Sequence, residues 1–80
     1  MISRQQFSEW VEEALLVYNG RATILQVSKY IWENYERELR RFEETFFKWQ
    51  YDVRWAAKML REKGVMKSVD DCPKGIWELI

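Results

Sequence analysis

Histidine is absent from this 80-residue chain, and cysteine occurs once, as Cys72. Without histidine and with a single thiol there is no zinc-type ligand cluster and no internal disulfide. The same lack removes the commonest general base. No glycine-rich phosphate loop takes its place, nor any carboxylate pair that stands out from ordinary helix surface. The reading is a non-enzyme with no cofactor. Long apolar runs are missing too, so no segment approaches membrane-spanning length, and MISRQQFSEW lacks the apolar core of a signal peptide. The expectation is cytoplasmic residence with no membrane contact. Charge of one sign is also lacking. Thirteen basic and 13 acidic residues cancel, which leaves no overall bias toward nucleic acid and implies low non-specific affinity for it.

What is present suits one compact domain over residues 1–80. Apolar residues make up 48% and charged residues 32%, a balance that argues against disorder, at a length that allows a single modest core. Ser3 with Gln6 three residues on matches a capping box. Phe7, Trp10, Val11, Ala14, Leu15 and Tyr18 then recur at three- and four-residue steps, with Glu9, Glu12 and Glu13 on the other side, which predicts a helix over about 4–18. Asn19-Gly20 supplies residue types that tolerate the left-handed helix stop. Arg21-Ala22-Thr23 fits a very short extended segment. Thr23 with Gln26 is a second capping-box match, and Ile24, Val27, Ile31 and Tyr35 form the stripe of a second helix ending near Glu36.

The charge-dense ERELRRFEE that follows contains no strong breaker, yet one helix from 24 to 63 is too long for this core. A loop or irregular turn is therefore expected near residues 38–45, with Arg37, Arg40 and Arg41 solvated among Glu36, Glu38, Glu43 and Glu44. A third helix, Thr45–Gly64, is the segment around which the chain is organised. Val53, Ala56 and Leu60, with Trp55 and Met59, form its apolar band. Arg54, Lys58 and Arg61 share the opposite side. Gly64 ends the helix, with Arg61 and Lys63 in the last turn, where cations suit the helix dipole. The tail then changes period. Val65–Val69 and Ile76–Leu79 read as two strands, joined by the turn residues Asp70, Asp71, Pro73 and Gly75, with Trp77 and Leu79 as anchors. Three helices followed by a C-terminal two-stranded β-hairpin wing, an α+β but mainly α arrangement, is the order of a winged helix-turn-helix.

A family resemblance rests on particular residues: Trp55-Ala56 followed by Leu60, then Gly64-Val65-Met66, then Lys74-Gly75-Ile76-Trp77-Glu78-Leu79. This pattern resembles the winged-helix domain at the N-terminus of Mrr-type restriction proteins. The likeness covers residues 51–80 closely and residues 7–35 only in helix pattern. The stretch from Phe47 to Ala57 also resembles a group of small bacterial proteins of that fold with no assigned activity. The resemblance implies a winged helix and a DNA-binding role by analogy. It brings no nuclease activity, because the catalytic module of that family is absent from these residues.

The basic stripe has two readings. In a helix-turn-helix it enters the major groove, where Arg54, Lys58 and Arg61 meet guanine edges or phosphates and Gln50 meets an adenine edge or a phosphate. Ala57, small and on the same side, then allows close approach or touches a thymine methyl. Alternatively the stripe is a solvated surface whose cations pair with Asp52 and Glu62. The charge is uneven in a way that favours a polyanion: residues 1–20 carry one Arg against three Glu, while residues 51–63 carry four cations against two acids. The aromatics Phe42, Phe46, Phe47, Trp49, Tyr51 and Trp55 read better as core than as a stacking platform for single strands. In the wing, Asp70 and Asp71 repel phosphate while Lys67 and Lys74 reach it, and Cys72 reads as an exposed ordinary thiol.

The functional expectation is a small DNA-binding regulator of transcription or of a mobile element, contacting double-stranded DNA through Gln50, Arg54, Ala57, Lys58 and Arg61. The alternative is a winged helix used as a protein-interaction or dimerisation module, with a homodimer or another protein as partner. Neutral total charge, the acidic wing and the surplus of aromatics support that alternative.

Overall fold

Local signals determine where each helix begins, and long-range packing determines how they join. The computed structural model describes residues 2–80 and shows a mainly helical α+β chain. Helix α1, Arg4–Val17, is capped by Ser3, whose Oγ accepts from the Gln6 N–H at 3.1 Å. It buries Phe7, Trp10, Val11, Ala14 and Leu15. The helix stops where Asn19 and Gly20 take positive φ (61° and 92°), and the Gly20 N–H returns to the Leu15 carbonyl. That left-handed conformation is one that Asn and Gly adopt at little cost.

Strand β1, Arg21–Thr23, leads directly into helix α2, Ile24–Arg41. Thr23 is both the last strand residue and the helix cap. Its Oγ1 accepts from the Gln26 N–H at 3.0 Å, and Gln26 Oε1 accepts from the Thr23 N–H at 2.8 Å. A complete capping box of this kind satisfies two otherwise free donors.

Helix α2 runs further than the expected end near Glu36. It carries a non-helical residue at Tyr35 (φ −130°, ψ 21°) and continues to Arg41. Instead of a loop over 38–45, Phe42 alone, in extended conformation, separates it from helix α3, Glu43–Glu62. Three features explain the correction. The segment contains no breaker, Leu39 is wholly buried, and Arg40 pairs with Glu36 one turn back at 2.7 Å. The sharp corner at Phe42 resolves the excessive length. Arg37, Arg40 and Arg41 therefore stand on a helix, and Arg40 also lies over the rings of Trp32 and Phe46.

The tail departs most from expectation. Strand β2, Ile76–Glu78, pairs antiparallel with β1 in the register Arg21 to Glu78, Ala22 to Trp77 and Thr23 to Ile76. Segment 65–69 forms no full second strand. It contributes one bridge, Met66 to Leu79, flanked by bonds from Lys67 N–H to Glu78 O and from Ile80 N–H to Val65 O. Val69–Asp71 is a turn of 3-10 helix, and Ser68 Oγ lies 2.9 Å from Asp71 Oδ2. The last strand is therefore bonded on both edges, to β1 on one and to residues 65–67 on the other. The small Ala22 leaves room for Trp77 across the ladder, and both are buried in the single core. Trp77 is thus an anchor as expected, and Leu79 packs half-buried beside the core.

Helix α1 lies chiefly against α3 and also meets α2. A polar tie holds the second contact. Glu13 of α1 accepts from Tyr30 Oη at 2.5 Å and from Tyr35 Oη at 2.7 Å, while the Tyr35 ring stacks on Trp10 at 4.1 Å. The residue that breaks the geometry of α2 is therefore one that α1 holds twice.

The Glu13 hydrogen bond, with burial, pushes the Tyr30 phenol up to about 12. Burial, aided by the same carboxylate, pushes Tyr35 up to about 12. A phenol whose pKa rises on folding keeps its proton in the native state after the unfolded chain has lost its own. The associated stability is complete below about pH 10 and is lost as pH climbs toward about 12. Tyr30→Phe with Tyr35→Phe should cost about 1–3 kcal/mol per hydrogen bond at neutral pH and flatten this alkaline decline. Thermal unfolding across that range checks it, and parallel curves for the variant and the parent chain would contradict it.

Candidate functional site

Helix α3 is held along one side only. Thr45, Trp49, Asp52, Val53, Ala56, Ala57 and Leu60 are buried. The residues on the far side recur at alternating four- and three-residue steps, so Phe47, Tyr51, Arg54 and Lys58 form one stripe in solvent. Phe47 is 76% exposed and Tyr51 63%. Arg54, Lys58 and, at the edge of the stripe, Gln50 are exposed as well.

Three of the five sequence-derived site residues therefore share an accessible surface: Gln50, Arg54 and Lys58. Ala57 does not join them. It lies four residues after Val53 and three before Leu60, both buried, so it belongs to their ridge and is fully buried itself. No contact with a thymine methyl is open to it. Arg61 is half-buried, with its guanidinium carbon 5.9 Å from the Trp77 ring centre. Its Nε is buried without a hydrogen-bond partner among the described residues. Arg61 thus lies between the stripe and the packed tail.

The alternative of neutralised cations does not describe this surface. Asp52 is buried, and no ion pair among the described residues includes Arg54, Lys58 or Arg61. Lys58 Nζ lies 4.6 Å from the Trp55 ring centre, with Arg4 at 4.7 Å from the same ring. Cation–π contact of this kind leaves the ammonium charge available to an anion.

Phe47 and Tyr51, expected in the core, are the functional candidates that sequence reasoning missed. A signal for them was present, because they continue the spacing of Arg54 and Lys58 toward the start of the helix. Beside them Leu25, Ser28, Lys29, Trp32, Phe46 and Trp49 line a cleft of about 550 Å³ between α2 and α3, with Gln50 at its rim. Leu25 is 76% exposed. The tail adds little positive charge. Lys67, expected to reach phosphate, pairs with Glu78 at 3.1 Å, and Asp70 and Asp71 are exposed. Cys72 is half-buried rather than exposed.

No helix of the described residues is long and apolar enough to cross a membrane. No protein-family model, curated protein or solved structure matches the chain.

The division of α3 into two sides has a direct consequence for stability. Ala57→Leu should destabilise the fold by about 1–3 kcal/mol through overpacking. Tyr51→Ala should stay within about 0.5 kcal/mol of the parent chain, as surface substitutions do. Chemical denaturation of both variants checks the assignment, and a reversed order of costs would overturn it.

Proposed function

We propose that this chain is a winged helix-turn-helix domain that binds double-stranded DNA through the solvent face of α3. The observation that carries the reading is the row Gln50, Arg54 and Lys58, exposed at one-turn intervals and free of carboxylate partners among the described residues. The row extends about 12 Å along the helix, the length of three or four base-pair steps. Arginine and lysine meet guanine edges or phosphates in a major groove, and glutamine pairs with adenine. Chain order supports the same reading. A strand between the first two helices receives the C-terminal strand, and the third helix follows the second across a one-residue corner. The resemblance of the segment from Trp55 to Leu79 to the Mrr-type winged helix points the same way.

Phosphate grip comes mainly from α3, since Lys67 is paired and the turn beyond it is acidic. Affinity is accordingly modest and sensitive to salt. The role that fits is a small regulator of transcription or of a mobile element. Exposed Phe47 and Tyr51 favour a second use of the same face, in contact with protein.

Fluorescence anisotropy with a pool of short duplexes at low salt tests the DNA reading. Binding should weaken steeply as salt rises, and Arg54→Gln with Lys58→Gln should lower the logarithmic salt slope by about two. Circular dichroism should show the helices intact. Absence of binding by the parent chain at low salt would contradict the proposal.

A further inference from the structure

We propose that the α3 stripe also docks a second copy of this chain, on the acidic and apolar face of α1. That face is as unusual for a surface helix as the stripe is. Leu16 and Val17 are 62% and 58% exposed. With Glu9, Glu12 and Glu13 they line one shallow depression of about 400 Å³. Glu13 is occupied by Tyr30 and Tyr35. Glu9 and Glu12 have no ion-pair partner among the described residues, and no basic residue lies between Phe7 and Val17.

The two faces match in spacing and in sign. On α1, Glu9, Glu12 and Leu16 recur at steps of three and four, as Tyr51, Arg54 and Lys58 do on α3. Glu9 to Leu16 and Lys58 to Tyr51 each span two turns, about 10 Å. Laid antiparallel, Leu16 meets Tyr51, Glu12 meets Arg54 and Glu9 meets Lys58, with Val17 and Phe47 beside them at the apolar end. Opposite charges then face each other along the contact while the apolar ends bury together. Pairing α3 with α3 would gather four cations in one contact with no carboxylate to offset them, and pairing α1 with α1 would gather carboxylates with no cation. Both arrangements carry a penalty that the mixed contact avoids. The contact is therefore head-to-tail, each copy offering α1 to one neighbour and α3 to another. Its effect on DNA, competition for Arg54 and Lys58, rests on the duplex reading; the association does not.

Sedimentation velocity of the full chain over a concentration series at low salt tests the proposal. The parent chain should associate with concentration and dissociate as salt rises. Glu9→Lys with Glu12→Lys, and separately Arg54→Glu with Lys58→Glu, should each weaken association by more than about tenfold. An equimolar mixture of the two variants should restore it, because it joins a basic α1 to an acidic α3. Phe47→Ser with Tyr51→Ser provides a variant that keeps every charge and should also weaken association. A monomeric parent chain at low salt, or a mixture no stronger than its components, would overturn the proposal. Glu9→Lys with Glu12→Lys should still bind duplex. Loss of DNA binding alone would count against the DNA reading and leave the association standing.

Discussion

The fold depends on the pairing of β2 with β1. Three residues on each side make a short ladder, too small to persist in water on its own. It holds because Trp77 is buried opposite Ala22, and because the bonds from Leu79 N–H to Gly20 O and from Ile24 N–H to Gly75 O extend it at both ends. The pairing fastens the end of the chain to the junction between α1 and α2. It also brings Met66 into the core, so that the close of α3 is held as well. One face of α3 packs on α1 and α2, and the opposite face is left to solvent.

Glu13 plays a parallel part between α1 and α2. It lies on the side of α1 that the apolar pattern assigns to water, yet two phenols from α2 donate to it. The stacking of Tyr35 on Trp10 supplies the apolar half of the same contact. Together these interactions orient α2, and the cleft beside Trp32 and Phe46 follows from that orientation. The acids of α1 thus divide: Glu13 is structural, while Glu9 and Glu12 keep their charge for the surface.

Much of this was legible in the sequence because the signals were local. Ser3 with Gln6 and Thr23 with Gln26 mark helix starts, and Asn19-Gly20 and Gly64 mark stops, each within a few residues of its partner. The very short extended segment Arg21–Thr23 was also readable. Its pairing with the final strand was not, since that contact joins residues far apart in the chain and nothing local announces it. Dense charge resembles a solvated turn, so residues 38–45 read as a loop where the structure has the corner at Phe42, and Leu39 alone gives notice of burial. On α3, the spacing of Arg54 and Lys58 agrees with their exposure, whereas Arg61 is drawn toward Trp77 and Ala57 follows the ridge it shares with Val53 and Leu60 rather than its small size. Residue type points Phe47 and Tyr51 to the core, whereas their spacing sets them beside Arg54 and Lys58 in solvent.

The proposed contact with DNA lies on α3 and not on the turn before β2. Amide chemical-shift mapping of the isotopically labelled chain, titrated with a short duplex at low salt, tests it most directly. The account predicts shifts concentrated on the exposed face of α3 around Gln50, Arg54 and Lys58, with residues 68–75 nearly unchanged. Shifts confined to residues 68–75, or none at all, would contradict it.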